Sequence, residues 1–168
     1  MLLAMLLAGA NVQSAYKQQS AGEWLISPNE RGCMADKVFV GNASVNLWYF
    51  SKENKVMFGF SDPKLTFVRE GSMYGLSVVF RRPTGSPNLT PNPWENHVFM
   101  GADLSGTNAM VGAFKSPILD DFASSSSVAL YMNGKFVSGF QIPGGSAMVA
   151  ALRECARIRE KETSTTGG

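Results

Sequence analysis

Two cysteines and no more, Cys33 and Cys155, stand near opposite ends of a 168-residue chain. Cys155 falls within "GGSAMVAALRECARIREKE", residues 144–162. There Met148, Val149, Leu152, Cys155 and Ala156 recur at i, i+1, i+4, i+7 and i+8, which is one apolar stripe of an α-helix. Arg153, Glu154, Arg157, Glu160 and Lys161 cover the other side. Ser146 stands where an N-cap belongs. Cys33 precedes Lys37–Val40, a short run that reads as a strand. In an exported protein two such cysteines read as one disulfide, whereas in the cytosol they would be two buried thiols. A bridge would close a loop of well over a hundred residues. On the chain-entropy model it would contribute about 4–5 kcal/mol and staple the last helix to a sheet.

The compartment is argued at the N-terminus. "MLLAMLLAGANVQSA" carries no charge, and the first charged residue is Lys17. Ala8-Gly9-Ala10 has the small-x-small pattern of a signal-peptidase site, and Val12-Gln13-Ser14 is a second candidate. The usual positive n-region is missing, and the competing reading is an ordinary buried N-terminal helix. Residues 1–14 are therefore expected to be a signal peptide, 15–162 one β-rich domain, and 163–168 a small polar tail that frays. The apolar run Met1–Leu7 is too short to span a bilayer, and no other segment is long and apolar enough. The expected location is periplasmic or secreted.

From residue 23 onward the pattern is that of short strands separated by turns. Glu23–Ile26 and Lys37–Val40 come first. Val45, Leu47 and Tyr49 then alternate with Asn46 and Trp48, and Val56, Phe58 and Phe60 alternate after a polar linker. Leu65–Val68 is a short candidate strand, Tyr74–Phe80 a strong one, and Val98–Leu104 and Met110–Phe114 follow. Residues 81–97 hold four of the eight prolines and read as a long loop, a place where function concentrates. "SPILDDFASSSS" starts like a helix, with Ser116 as cap, Pro117 in the first turn, and Asp120 and Asp121 favoured by the helix dipole. Asn133-Gly134 between "VALYM" and "KFVSGF" is the sequence a two-residue type I′ hairpin requires. The fold class expected is mainly β (α+β). It would be an antiparallel β-sandwich or curved sheet, with one short helix at 116–123 and a C-terminal helix packed on it.

Chemistry is sparse. Charged residues make up 17% and the net charge is +2, with no basic face of the kind nucleic acid requires. One histidine and two distant cysteines cannot form a zinc site, and no cofactor motif occurs. His97, the single histidine, ends the proline-rich loop; without a G-x-S-x-G elbow it reads as structural or exposed. The pair Gly144-Gly145 reads as a tight turn into the helix rather than an anion cradle. Asn42-Ala43-Ser44 and Asn88-Leu89-Thr90 match the short glycosylation pattern. Trp24 reads as core. Trp48 lies opposite Val45, Leu47 and Tyr49, either under a helix or exposed. Trp94, beside Pro93, is an interface anchor or a ring folded back over a sheet edge.

The stretch "GKFVSGFQIPGGSAMVAALREC", with the early Trp24…Cys33 segment, resembles the invasion-associated locus B family of small exported bacterial proteins. The chain has no second cysteine close after Cys33. The resemblance implies a secreted or periplasmic β-sandwich-like protein linked to the cell envelope, without catalytic residues. The function expected is that of a non-enzymatic, envelope-associated protein that binds another protein or an envelope component. Pro91, Pro93, Trp94 and His97 are its expected interaction surface. The alternatives are a small hydrolase using His97 with a serine, and an inhibitor- or chaperone-like module binding through a sheet edge.

Overall fold

The computed structural model describes residues 18–83 and 92–165. The expected signal peptide, Pro91 and the Asn88 pattern lie outside the described residues. Ten strands form one open, fully antiparallel sheet. They are β1 (Gln19–Ala21), β2 (Trp24–Pro28), β3 (Cys33–Val38), β4 (Ser44–Phe50), β5 (Lys55–Ser61), β6 (Met73–Arg81), β7 (His97–Leu104), β8 (Thr107–Lys115), β9 (Ser127–Met132) and β10 (Lys135–Gln141). Two α-helices complete the fold, α1 (Ile118–Ser124) and α2 (Gly145–Thr165). The strand order is β1-β2-β3-β4-β5-β8-β7-β6-β9-β10.

The sheet turns a corner within β6. Met73–Leu76 pairs with β7, and Ser77–Arg81 pairs with β9. Strands that change partners in this way make the corners of sandwiches. The period-2 alternation places Ile26, Ala35, Leu47, Phe58, Gly112 and Phe99 in one cross-strand row on the inner face. All but Gly112 are fully buried hydrophobics. Phe122 of α1 meets Phe58 edge-on at 5.3 Å and Phe80 at 4.9 Å. Phe140 of β10 reaches Phe60 at 6.0 Å. Aromatic edges thus join the two layers.

The stripe of α2 is the one read from sequence, and all five of its residues are buried. Cys155 is bonded to Cys33 across 122 residues, with Cα atoms 6.1 Å apart. The indole N–H of Trp24 donates to the Pro143 carbonyl at 2.8 Å just before the helix starts. The glycine pair is steric in purpose: a Cβ on Gly145 would sit 2.3 Å from the Phe122 carbonyl oxygen. Asn133 and Gly134 adopt φ of 51° and 74°, as the type I′ turn demands.

Several sequence expectations change. Strand β3 begins at Cys33 itself and ends at Val38, because Phe39 turns to bond the Ala43 carbonyl. Leu65–Val68 is not a strand. Successive turns, Leu65 N–H to Asp62 and Val68 N–H to Leu65, bury those two apolar side chains without a ladder. Ser116 does not cap α1; its hydroxyl bonds Asn54 instead, and Pro117 holds the cap position. Ser146 lies inside α2 and is exposed, since the helix already starts at Gly145. The short strand β1 was not read.

Replacing both cysteines with alanine should remove the staple between α2 and β3. The expected loss is about 4–5 kcal/mol in urea unfolding on the chain-entropy model, and an unchanged midpoint would show that the bridge adds nothing.

Candidate functional site

The loop residues read from sequence fall at one rim of the molecule. Pro93 is exposed. Trp94 is 9% exposed and folded back, the second of the two roles its position allowed. Its carbonyl accepts from Val78 N–H at 2.9 Å, and Asn92 Nδ2 donates to the Val78 carbonyl at 2.9 Å. Together they satisfy the part of β6 that β7 no longer pairs. The Trp94 indole N–H donates to Asp121 Oδ2 at 2.7 Å, and the ring meets Phe114 at 5.6 Å. Asp121 is buried, with Arg82 at 3.8 Å. Burial raises its carboxyl above the usual range, against the opposing effects of Trp94 and Arg82. The acidic pair of α1 thus has side-chain partners beyond the helix dipole, since Asp120 pairs with Arg153 at 2.7 Å. The His97 ring packs on Phe114 at 4.4 Å and on Trp94 at 5.6 Å. Burial lowers its pKa below the ordinary imidazole value.

A second site, which the sequence reading missed, lies on the outer face. Both helices pack on the inner face, and the outer face of β2 through β8 carries no helix among the described residues. Three rows cross it, each taking one residue from each successive strand. One row runs Leu25, Asp36, Asn46, Gly59, Val111, Met100, Met73. The next places Met34 opposite Trp48, Met57 and Ala113. The third places Val38 opposite Ser44, Ser61 and Ala109.

At one end of these rows the Ser105-Gly106 hairpin tip, with both residues at positive φ, borders a groove of about 540 Å³. Met34, Asp36, Ser44, Asn46, Trp48 and Ser61 line it from the sheet. The amide of Asn46 donates to Asp36, and the Ser44 and Ser61 hydroxyls lie 2.8 Å apart. The indole of Trp48 lies against Gly59, where a Cβ would meet ring atoms at 2.8 Å and 3.0 Å. A side chain there would lift the ring off the sheet. Trp48 and Asp36 are diagonal neighbours, so an aromatic surface and a carboxylate stand about one ligand group apart.

Among the described residues no lysine or arginine lines this groove. Lys37, next along β3, points to the inner side, where it pairs with Glu23. Burial accordingly holds the Asp36 carboxyl above its ordinary range, against a smaller opposing pull from the Lys37 backbone N–H. From this groove an apolar band crosses the sheet through Met57, Val111 and Met100 to Met73. Met73, Val98 and Met100 are 69%, 58% and 47% exposed. The alternation in "SVNLWYF" could have shown Ser44, Asn46 and Trp48 sharing one face. The pairing that sets Asp36 beside them is not local.

The architecture is an open, strongly curved antiparallel sheet wrapped around a short helix and a disulfide-bonded C-terminal helix. No family model matches the chain. No curated protein matches it either. Among solved structures, invasion associated protein B from Bartonella henselae shares the fold at a TM-score of 0.54 and 11% identity. The match covers 86% of this chain and 99% of that one. The likeness read from "GKFVSGFQIPGGSAMVAALREC" therefore has a counterpart in the architecture. No described helix is long and apolar enough to cross a membrane.

Two expectations follow. A folded-state pKa raised above the unfolded value near 4 means that Asp36 favours the fold when protonated, and loses that contribution as pH rises through the folded value. Asp36→Asn should therefore melt above the wild type at pH 7, with the gap closing below about pH 4. Equal melting at both pH values would refute the assignment. Trp94→Phe keeps a six-membered aromatic ring but removes the pyrrole half of the indole and with it the donor to Asp121. Thermal unfolding should then show a loss of about 1–3 kcal/mol, and no loss would mean the bond contributes nothing.

Proposed function

We propose that this chain is an exported, non-enzymatic, envelope-associated binding protein that seats an extended segment of a partner protein on the outer face of its sheet. The segment sets a lysine or arginine between Asp36 and Trp48 and lays apolar residues along Met57, Val111, Met100 and Met73. The observation that carries this reading is the partly buried Asp36 carboxylate, in a groove that no described basic residue lines, beside an indole surface at the head of an exposed apolar band.

A guanidinium or ammonium from the partner would supply the missing charge and stack on the indole. From Asp36 on β3 to Met73 on β6 there are five strand spacings. That is about 24 Å, the reach of roughly seven extended residues. Methionines suit such a band because they adapt to varied partner side chains. The surface first expected to bind, Pro93 with Trp94 and His97, supports this reading less well, because Trp94 and His97 are committed to packing.

The disulfide favours an oxidising compartment. The likeness to a bacterial protein named for its association with invasion supports an envelope setting. The packing of His97 against Trp94 and Phe114 supports a role without catalysis.

The test uses short synthetic peptides of alternating valine and serine with one central arginine, or with glutamate in its place, measured by calorimetry. The arginine peptide should bind, and the glutamate peptide should bind at least about tenfold more weakly, as one close charge pair commands. Asp36→Lys should reverse that preference, and Met100→Asp should weaken the arginine peptide without altering the melt. Binding indifferent to Asp36 and Met100 would sink the proposal. Self-association lost in Met100→Asp would instead assign the face to a second copy of the chain and overturn it.

A further inference from the structure

We infer a second, separate site on this chain, where Lys55 and Lys115 hold a phosphate-type dianion at the rim beside His97. The sheet register sets Lys55 directly opposite Lys115. Both alternate with inward-facing neighbours, Val56 and Phe114, and so share the outer face. Like charges at directly opposed positions destabilise a sheet. An opposite charge between the two members offsets that repulsion.

Among the described residues neither lysine has a carboxylate partner. Glu53 borders the same concavity, but it is bonded to Arg31 at 2.6 Å. Residues 1–17, 84–91 and 166–168 contain no aspartate or glutamate. Glu53 is the one acidic side chain among the described residues that line the concavity.

The place is also shaped. A concavity of about 410 Å³ is lined by both lysines with Trp94, His97, Ala113 and Phe114. It opens because the β7–β8 ladder ends at Phe99 opposite Gly112, so Ala113–Lys115 run past the last pair. The rings of Trp94, His97 and Phe114, in mutual tilted and edge-on contact, form one apolar wall of the concavity, and charge interactions strengthen beside a wall of low dielectric. A carboxylate would offset one lysine. A phosphate monoester carries about −1.5 to −2 charges near neutral pH and offsets both. Free phosphate and a phosphomonoester lipid headgroup share this chemistry.

The measurement is thermal unfolding in sodium phosphate against sodium chloride at matched ionic strength, with the proton resonance of His97, the single histidine, as local reporter. Phosphate should raise the midpoint by about 2–4 °C over chloride and shift the His97 resonance saturably. Lys115→Glu places opposite charges across the strands. Without phosphate it should melt about 2 °C above the wild type and lose both responses. Lys55→Glu should behave alike, which guards against a local defect in one variant. Sedimentation with phosphatidic acid vesicles, against phosphatidylcholine vesicles, separates the sources. Lysine-dependent binding to phosphatidic acid without a response to free phosphate assigns the headgroup, and the reverse assigns the free ion. Equal behaviour in phosphate and chloride together with no vesicle binding would overturn the inference. So would responses that survive both substitutions.

Discussion

The Cys33–Cys155 bridge joins the first residue of β3 to the buried stripe of α2, and the arrangement of the layers depends on it. The inner face of β2, β3 and β4 presents Ile26, Ala35 and Leu47 and has to be covered. The stripe that covers it is thin, since two of its five residues are Cys155 and Ala156. The helix is therefore tied at three levels. Trp24 bonds the Pro143 carbonyl at its start, the disulfide holds its middle, and Arg159 donates to the Asn29 and Glu30 carbonyls near its end. All three ties reach β2, β3 or the turn between them. A small-residue helix can lie close to a sheet but gains little from burial, and cross-links to one hairpin compensate.

With both helices on one side, no described helix covers the other side of the same strands, and its chemistry is uneven. Among the described residues the groove beside Trp48 has an acid and no base. The rim beside His97 has two opposed bases, and the acid that borders them, Glu53, is bonded to Arg31. Each arrangement leaves like or unpaired charge that a ligand of the opposite sign would relieve. Sites of this kind are where a fold departs from its own packing logic. At 11% identity the likeness to invasion associated protein B speaks for the architecture alone. The binding residues have to be argued from this chain's own side chains.

Trp94 shows how far a sequence position can be read. A tryptophan next to a proline in a long loop has two reasonable destinies, outward as an anchor or inward as a cover. The choice rests on whether a buried acceptor is within reach of its N–H. Asp121 is that acceptor, 27 residues along the chain and on another element. Trp48 is the converse case. Alternation put it opposite the core, but nothing local said that Gly59, two strand positions across a hairpin, would leave room for its ring to lie flat.

The sequence by itself determined the strands with clear alternation, the Asn133-Gly134 turn, the C-terminal amphipathic helix and the pairing of its two cysteines in an oxidising setting. These depend on period, turn chemistry and counting, all of which are local. Only the tertiary structure decided which strands are neighbours, that β6 changes partners halfway, and that Asp36 stands beside Asn46 and Lys55 beside Lys115. Register is a long-range property, because a slip of one residue sends every side chain to the other face. Both proposed sites are built from cross-strand neighbours, so they came into view only once the strands were paired.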